Sequence, residues 1–394
     1  MESKTQRLYF IDAMRAWAIL MMLQGHFIDG LLETSFRDNS DLTYSIWKYF
    51  RGITAPVFFT VSGFIFTYLL IRVPQKGMDN PRVKKGIKRG LELLFIGYLL
   101  RVNLLGLLDG QIYDSFYLVD VLHCIGLSIL GIIGVYLFTQ KGNKTLLPTI
   151  LIAITGILFL FEPIYKEWSF GFLPQAVANY FTKANGSVFT ILPWFGYTTF
   201  GAFLSVLFTR YKNFKYLYEY AIILSVFIGF TLIFYSSDFL LALSEITGIT
   251  VFEAISLNNY LFIRLGDVFL VFAIFMIFRS IMTNTTILKI GQSTLSIYVI
   301  HFIILYGSFT GLGLYRFFYN TLSPEIAIFG AIVFMVICSF TALLYEKHKA
   351  IIKESGISAI NYVLSRIEPL FFVIQKVIKA ILYKLLRLIG FQKS

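Results

Sequence analysis

Long runs of hydrophobic residues, separated by short polar segments, dominate this chain. A stretch of about 20 apolar residues is long enough to cross a bilayer as an α-helix. Ten such stretches predict ten membrane-spanning helices, at residues 9–32, 47–72, 88–108, 117–139, 145–162, 187–209, 218–236, 264–282, 289–311 and 325–346. Since no segment between them is long enough for a soluble domain, the pattern predicts an all-α, polytopic integral membrane protein.

The positions of the basic residues predict how these helices are oriented. If the N-terminus lies inside the cell, 25 of the 34 Lys and Arg residues fall in the N-terminal segment, in alternate loops and in the tail after residue 346. An excess of Lys and Arg in cytoplasmic segments is the rule for membrane proteins. The distribution therefore predicts ten spans with both termini in the cytoplasm.

The composition agrees with a membrane protein and excludes a soluble domain. Of the 394 residues, 57% are hydrophobic and only 14% are charged, whereas soluble domains carry about 25% charged residues. Cytoplasmic loops and contact with anionic lipids account for the net charge of +12, so we expect membrane lipids and no nucleic acid as partners. The expected location is the cytoplasmic (inner) membrane if the source is bacterial.

The chain is predicted to divide near residue 348. Residues 1–348 would form the transmembrane domain, and residues 349–394 a basic tail. Four cations of this tail fall on one side of a helix, with Leu, Ile and Phe opposite: Lys376, Lys379, Lys384 and Arg387. An amphipathic helix of this kind lies in the interfacial plane of a membrane.

Charged residues inside the first apolar run are the leading candidates for chemistry. A charge near the middle of a membrane helix costs at least ~2.5–3.5 kcal/mol, so such residues usually line an interior site. Arg15 and His26 are eleven positions apart, nearly three helical turns, and share one face. His26 would be a buried base, Asp29 would orient its ring, and Asp12 would pair with Arg15 when no anionic ligand is bound. The alternative is a structural Asp–Arg pair and a histidine bonded to a neighbouring carbonyl.

The second apolar run contains residues that affect helix geometry. Pro56 removes one backbone hydrogen bond inside the predicted helix and bends it, which leaves Thr54 available for other partners. Ser62 and Gly63 are small enough to let another helix approach closely. This segment could equally be a kinked packing helix or part of a site.

Later segments carry further polar residues. A basic segment opens the third span, and it is either a topology signal or a cytoplasmic mouth for a polyanion: Arg82, Lys84, Lys85, Lys88 and Arg89. Arg101 lies deeper in the same span. His123, one turn after Asp120, and His301 lie in two further spans, so three of the four histidines are in predicted spans. No spacing of His, Cys or carboxylate residues predicts a metal site.

Four motifs, in order, resemble those of a superfamily of membrane acyltransferases. The Arg15-x10-His26 spacing and VFFTVSGFIFTYL at 57–69 are similar to acyltransferase family 3. The opening RLYFIDAMRAWAILMMLQGHFID and the segments VDVLHCIGL and GQSTLSIYVIHF resemble even more the heparan-alpha-glucosaminide N-acetyltransferase group. The resemblance covers roughly residues 7–310. It implies a protein of ten or more spans that moves an acyl group from cytosolic acyl-CoA to a sugar on the other side.

The resemblance also implies roles for individual residues. His26 would be the catalytic histidine, Arg15 would hold the acyl donor, the basic segment would sit at the CoA mouth, and His301 would line the same cavity. With Asp12, Arg101 and His123 these residues make up the predicted substrate and acyl-CoA site. Acetyl-CoA or another acyl-CoA is the implied co-substrate, without a metal, and the acceptor is a glycan or glycolipid. Trp17 and His123 replace residues that are often Gly and Gln in the family.

Several alternatives stay open at this point. The acceptor could be a hydroxyl or an amine, the acyl chain is unspecified, and the protein could act as a monomer or a homodimer. His26 could deprotonate the acceptor or carry the acyl group itself. A transporter or flippase would use the same polar stripe as a substrate or proton pathway, and a structural subunit would not need Arg15 or His26.

Overall fold

The structure, a computed structural model, describes residues 7–388 and is helical. Its α-helices are α1 Tyr9–Leu31, α2 Leu42–Ile71, α3 Pro81–Arg101, α4 Leu104–Leu108, α5 Val121–Thr139, α6 Leu146–Leu160, α7 Glu162–Tyr165, α8 Gln175–Ala178, α9 Ile191–Tyr211, α10 Leu217–Thr247, α11 Thr250–Leu257, α12 Tyr260–Ile277, α13 Thr285–Gln292, α14 Thr294–Tyr306, α15 Leu314–Phe318 and α16 Pro324–Leu388. Within residues 7–388, β structure is confined to two isolated bridges. The predicted all-α class is confirmed.

The chain forms two compact units, Met1–Thr341 and Ala342–Ser394. In the first unit, α2 packs on α9, α3 on α5, α6 on α9 and α10 on α12, while α1 packs on α2, α13 and α14. The described part of the second unit belongs to α16. The side chains of Lys379, Lys384 and Arg387 lie outside those that the structure describes. The amphipathic membrane-surface tail therefore stays a prediction.

Six described helices are long and apolar enough to cross a membrane, and the pair α13 and α14 would make a seventh if it counts as one span. This pair is bent by 71° at its break. All ten predicted stretches fall on helices. However, α6 has only 15 residues, which is short for a membrane span, and α1 and α3 contain several charged residues. Ten spans and cytoplasmic termini therefore remain predictions, while a multi-pass membrane protein agrees with the structure.

Helices α2 and α9 pack backbone against backbone. A Cβ atom on Gly63 would collide with the carbonyl of Thr198, and one on Gly201 would collide with the carbonyl of Thr60. The predicted close approach at Gly63 is confirmed. Nearby, α2 is one continuous helix through Pro56, and the Thr54 hydroxyl has no hydrogen-bond partner among the described residues.

One end of the first unit, here called the site end, gathers the helix ends that surround its cavities. There α1, α3 and α14 end, and α2, α5, α9 and α12 begin. The loop between α14 and α16 folds back over this end, since Glu33 donates its backbone N–H to Leu322 and Phe309 donates to Val102. Polar side chains placed near these helix ends can therefore face a common space.

Candidate active site

Two cavities at the site end are both lined by His26. The larger cavity has a volume of about 690 Å³ and is lined mainly by the ends of α1, α3 and α14. The smaller cavity has a volume of about 300 Å³ and is lined mainly by α1, α2 and the segment before α9. Four residues line both: His26, Arg51, Val188 and Phe189. His26 is therefore placed to contact a molecule in either cavity.

His26 forms a hydrogen-bonded pair with His301 of α14. Its Nδ1 lies 3.2 Å from Nε2 of His301 and 3.4 Å from the Tyr306 hydroxyl. Nδ1 of His301 lies 2.5 Å from the carbonyl oxygen of Tyr298, which can only accept, so this nitrogen carries a hydrogen. In a neutral ring, Nε2 of His301 must then accept from Nδ1 of His26. This tautomer leaves Nε2 of His26 with a lone pair that can act as a base or nucleophile.

Asp29 has a different partner from the predicted one. Its carboxylate forms an ion pair with Arg51 of α2. Asp29 was expected to accept a hydrogen bond from the His26 ring, but Nδ1 of His26 lies within hydrogen-bonding distance of His301 and Tyr306 instead. A guanidinium carries a full charge and is a stronger partner for a carboxylate than a neutral imidazole. The predicted ring-orienting role of Asp29 is corrected accordingly.

Arg101 and Asp120 face each other at the wall of the larger cavity. Nε of Arg101 lies 3.3 Å from Oδ2 of Asp120, and its Nη1 donates to the carbonyl of Ser115. The other carboxylate oxygen, Oδ1, accepts the backbone N–H of Leu122 at 3.0 Å and so caps the start of α5. Asp120 therefore holds a helix start and a cavity-facing arginine together.

His123 lies behind Asp120 and lines neither cavity. Its ring is completely buried, with Nδ1 3.0 Å from Oδ1 of Asp120. The ring lies against Gly97 of α3, where an added Cβ would come within 2.6 to 2.8 Å of its atoms. His123 therefore contacts Asp120 and neither of the two cavities, and its direct contact with substrate stays a prediction.

Arg15 lies about three turns, and Asp12 nearly four turns, from His26 along α1. Nη2 of Arg15 donates to the Thr294 hydroxyl at 3.1 Å, and Nη1 lies 3.7 Å from Oδ1 of Asp12. Asp12 also accepts from Arg7 at 2.9 Å. The predicted pairing of Asp12 with Arg15 is present, but neither residue lines either cavity.

The basic segment lies at the start of α3, away from the site end. Arg82 is partly exposed there, and Lys84, Lys85, Lys88 and Arg89 are exposed. Lys88 and Arg89 each lie 3.9 Å from the carboxylate of Glu92. Twelve residues separate Arg89 from Arg101, which is about 18 Å along the helix axis. The structure therefore does not bring the predicted CoA-mouth residues into the cavities with His26.

Three contributors to the site were missed by the sequence reasoning. Arg51 carries the same signal as Arg15, a charge inside a predicted span, and lies across α1 at Gly25, where an added Cβ would be 3.2 Å from its Cγ. Tyr306 follows His301 in the same apolar run, but nothing in its type or spacing marks it. The pair Val188 and Phe189 comes from a loop without a motif.

The cations that line the cavities are Arg51, Arg101 and Lys183. Lys183 lies in the loop between α8 and α9 and is exposed; partial desolvation lowers the pKa of its ammonium group, and the charge of Glu162 opposes this. Arg51 and Arg101 are paired with Asp29 and Asp120, and Lys183, at the smaller cavity, could bind a phosphate or a carbonyl oxygen. Residues 7–388 contain no cluster of three or more His, Cys, Asp or Glu side chains that could hold a metal ion.

The fold and the site define a multi-helix membrane protein with a histidine pair between two cavities. The family described as "Heparan-alpha-glucosaminide N-acetyltransferase, catalytic" matches residues 7–239. This is more than half of the chain, so the protein belongs to that family, whose acetyl donor is acetyl-CoA. A search of curated proteins finds no match. The matched range includes His26 and ends before His301.

Proposed function

We propose that this protein is a membrane-embedded acyltransferase that moves an acetyl group from acetyl-CoA to an amine or hydroxyl of a glycan or glycolipid. The family supports an acetyltransferase that acts on a glycan. The observation that carries the residue-level proposal is the His26–His301 pair, because its hydrogen bonding leaves Nε2 of His26 as an available base.

The proposed reaction needs one proton transfer and one acyl transfer. Nε2 of His26 takes the proton from the acceptor O–H or N–H while the acceptor oxygen or nitrogen attacks the thioester carbonyl. The carbon–sulfur bond then breaks, and the CoA sulfur leaves and takes up the proton from His26. His301 accepts from Nδ1 of His26 throughout and so holds the ring in the productive tautomer.

A covalent route uses the same atom of the same residue. In that route Nε2 of His26 attacks the thioester carbonyl, the carbon–sulfur bond breaks and the CoA thiolate leaves. The acceptor oxygen or nitrogen then attacks the acetyl group, its bond to Nε2 breaks, and the proton of the acceptor passes to the CoA thiolate. Both routes place the donor in contact with one side of the His26 ring and the acceptor with another. The two cavities that meet at His26 support either route.

Sidedness is also part of the proposal. The basic start of α3 would face the cytoplasm and raise the local concentration of the polyanionic donor. The site end, with the larger cavity, would then receive the acceptor from the extracytoplasmic side. Arg89 and Arg101 lie about 18 Å apart along α3. The bound donor would therefore be extended, with its nucleotide near the start of α3 and its acetyl group near His26.

The proposal is tested with the purified protein in lipid nanodiscs, supplied with acetyl-labelled acetyl-CoA and sugar acceptors. We expect label to enter the sugar with release of one CoA thiol per acetyl group transferred. Mild base then distinguishes an ester, which it cleaves, from an amide, which survives. Transport of the sugar into proteoliposomes without thiol release would replace the proposal with a transporter.

A further inference from the structure

Four buried side-chain atoms of residues that line the larger cavity lack hydrogen-bond partners among the described residues: Oδ2 of Asp29, Nε of Arg101, Oδ2 of Asp120 and Oγ of Ser308. Two of them, Oδ2 of Asp120 and Nε of Arg101, are neighbours. The Asp120 side chain is only 7% exposed, and a buried donor or acceptor without a partner is costly. The two atoms lie 3.3 Å apart as an ion pair but do not form a hydrogen bond with each other. At this point of the wall, one buried acceptor and one buried donor without hydrogen-bond partners therefore lie side by side.

The surrounding residues hold this carboxylate oxygen at the cavity. His123 and the Leu122 backbone N–H both engage Oδ1, which leaves Oδ2 as the oxygen available to a ligand. The Arg101 guanidinium is fixed by the Ser115 carbonyl and lies over the Phe302 ring, 5.9 Å from its centroid. The positions of Oδ2 and of the Arg101 Nε–H are thus set before any ligand binds, which lowers the ordering cost of binding.

A hydroxyl group fits these two atoms because it can donate and accept at once. It would donate to Oδ2 of Asp120 and accept from Nε–H of Arg101. The same cavity is lined by the rings of Tyr298, Phe302 and Tyr306, and apolar rings with a few fixed polar groups are typical of small-molecule sites. A pyranose ring offers both hydroxyls and an apolar C–H face to such a wall.

The charges that line the larger cavity are balanced. Asp29 pairs with Arg51, and Asp120 pairs with Arg101. A carboxylate or sulfate on the ligand would have to displace one of these aspartates from its arginine or lie beside its charge. The cavity therefore disfavours acidic substituents on the ring that enters it.

We propose that the Arg101–Asp120 pair is the acceptor-binding subsite, and that it takes a pyranose ring with free hydroxyls and no acidic substituent. This inference rests on the proposed function, since it gives the larger cavity to the acceptor. Asp120 and Arg101 act in binding and orienting that ring, while His26 and Tyr306 line the same cavity.

The test measures equilibrium binding of methyl glycosides to the protein in nanodiscs by calorimetry, without any acyl donor. The probes are methyl glucoside, methyl glucosaminide and methyl glucuronide. We expect the first two to bind at least about tenfold more tightly than the glucuronide. We expect Asp120→Asn to weaken their binding by about tenfold or more, as loss of a hydrogen bond to a charged group does.

Asn is the variant of choice because it still caps the start of α5, so folding should be preserved and is checked by the thermal unfolding midpoint. Asp267→Asn is the matched control. Asp267 is also a buried aspartate beside an arginine, but both of its oxygens are hydrogen-bonded, to Tyr49 and Arg264, and it lines neither cavity. This control should bind the glycosides like the wild type.

Separate outcomes overturn the subsite and the function. Unchanged glycoside binding in Asp120→Asn, equal or tighter binding of the glucuronide, or no glycoside binding at all would overturn the subsite. Binding that behaves as expected, in a protein that transfers no acetyl group, would overturn the proposed function and leave the subsite in place. In the transfer assay we expect Asp120→Asn to raise the KM for the acceptor and leave that for acetyl-CoA unchanged.

Discussion

At the scale of single residues, the proposed chemistry depends on which nitrogen of His26 carries the hydrogen. The neighbours of His26 determine its tautomer: the Tyr298 carbonyl fixes the tautomer of His301, and His301 fixes that of His26. His301 therefore acts as a positioning residue through a neutral hydrogen bond. Arg51 and Asp29 form an ion pair beside the two histidines. The Asp29 carboxylate therefore has a charged partner without contacting the His26 imidazole.

Two replacements of His301 should distinguish the effect of its hydrogen bond to His26 from the effect of its side-chain volume. We expect His301→Ala to lower kcat by about 10²-fold, the lower range for loss of acid–base catalysis, with little change in the KM for acetyl-CoA. His301→Gln keeps an acceptor that can reach Nδ1 of His26 and should recover part of this loss. Steady-state kinetics of both variants provide the check, and equal rates for Ala and Gln would argue against the positioning role.

At the scale of helices, the wall of the smaller cavity depends on the contact between α2 and α9. Thr54 and Phe58 of α2 and Trp194 of α9 line this cavity. Their separation follows from the backbone contact at Gly63 and Gly201, which no side chain can occupy. The sequence could predict Gly63 as a close approach, because a small residue in a membrane helix is a known packing signal. The partner helix could not be predicted, since it lies more than 100 residues away.

A larger residue at the helix contact should destabilise the fold. We expect Gly201→Val to lower the free energy of unfolding by about 1–3 kcal/mol, as overpacking does, because the colliding atoms belong to the Thr60 backbone and cannot rotate away. Gly134→Ala is the control, since a Cβ there meets nothing within 4 Å. Thermal unfolding in nanodiscs measures both, and an unchanged midpoint for Gly201→Val would contradict the packing described.

At the scale of the whole molecule, the basic segment and the histidine pair lie at different helix ends. A cluster of exposed cations lies at the start of α3, and the histidine pair lies at the site end. The sequence could predict the all-α class, the helix positions and the placement of His26 at an interior cavity, because apolar length and a polar residue inside an apolar run are local signals. It could not predict that Asp29 forms an ion pair with Arg51, or that His123 lies behind Asp120, since both contacts depend on which helices become neighbours.

The basic start of α3 should influence donor capture over a distance. We expect the triple change Lys84→Gln, Lys85→Gln and Lys88→Gln to raise the KM for acetyl-CoA several-fold at low ionic strength. The difference should shrink as salt rises, because exposed charges are screened beyond about 8–10 Å. The same change at the exposed Lys347, Lys349 and Lys353 removes equal charge and is the control. A KM that is equal for the two triples would reduce the α3 cluster to a topology signal.

The single-turnover rate of acetyl transfer from labelled acetyl-CoA to a glycoside by purified His26→Ala tests whether Nε2 of His26 carries the chemistry. His348→Ala serves as the control, because His348 bonds only to a carbonyl of its own helix. We expect that His26→Ala folds and loses transfer by at least about 10²-fold, while His348→Ala keeps the wild-type rate. Transfer at the wild-type rate by folded His26→Ala would contradict the claim that Nε2 of His26 carries the chemistry.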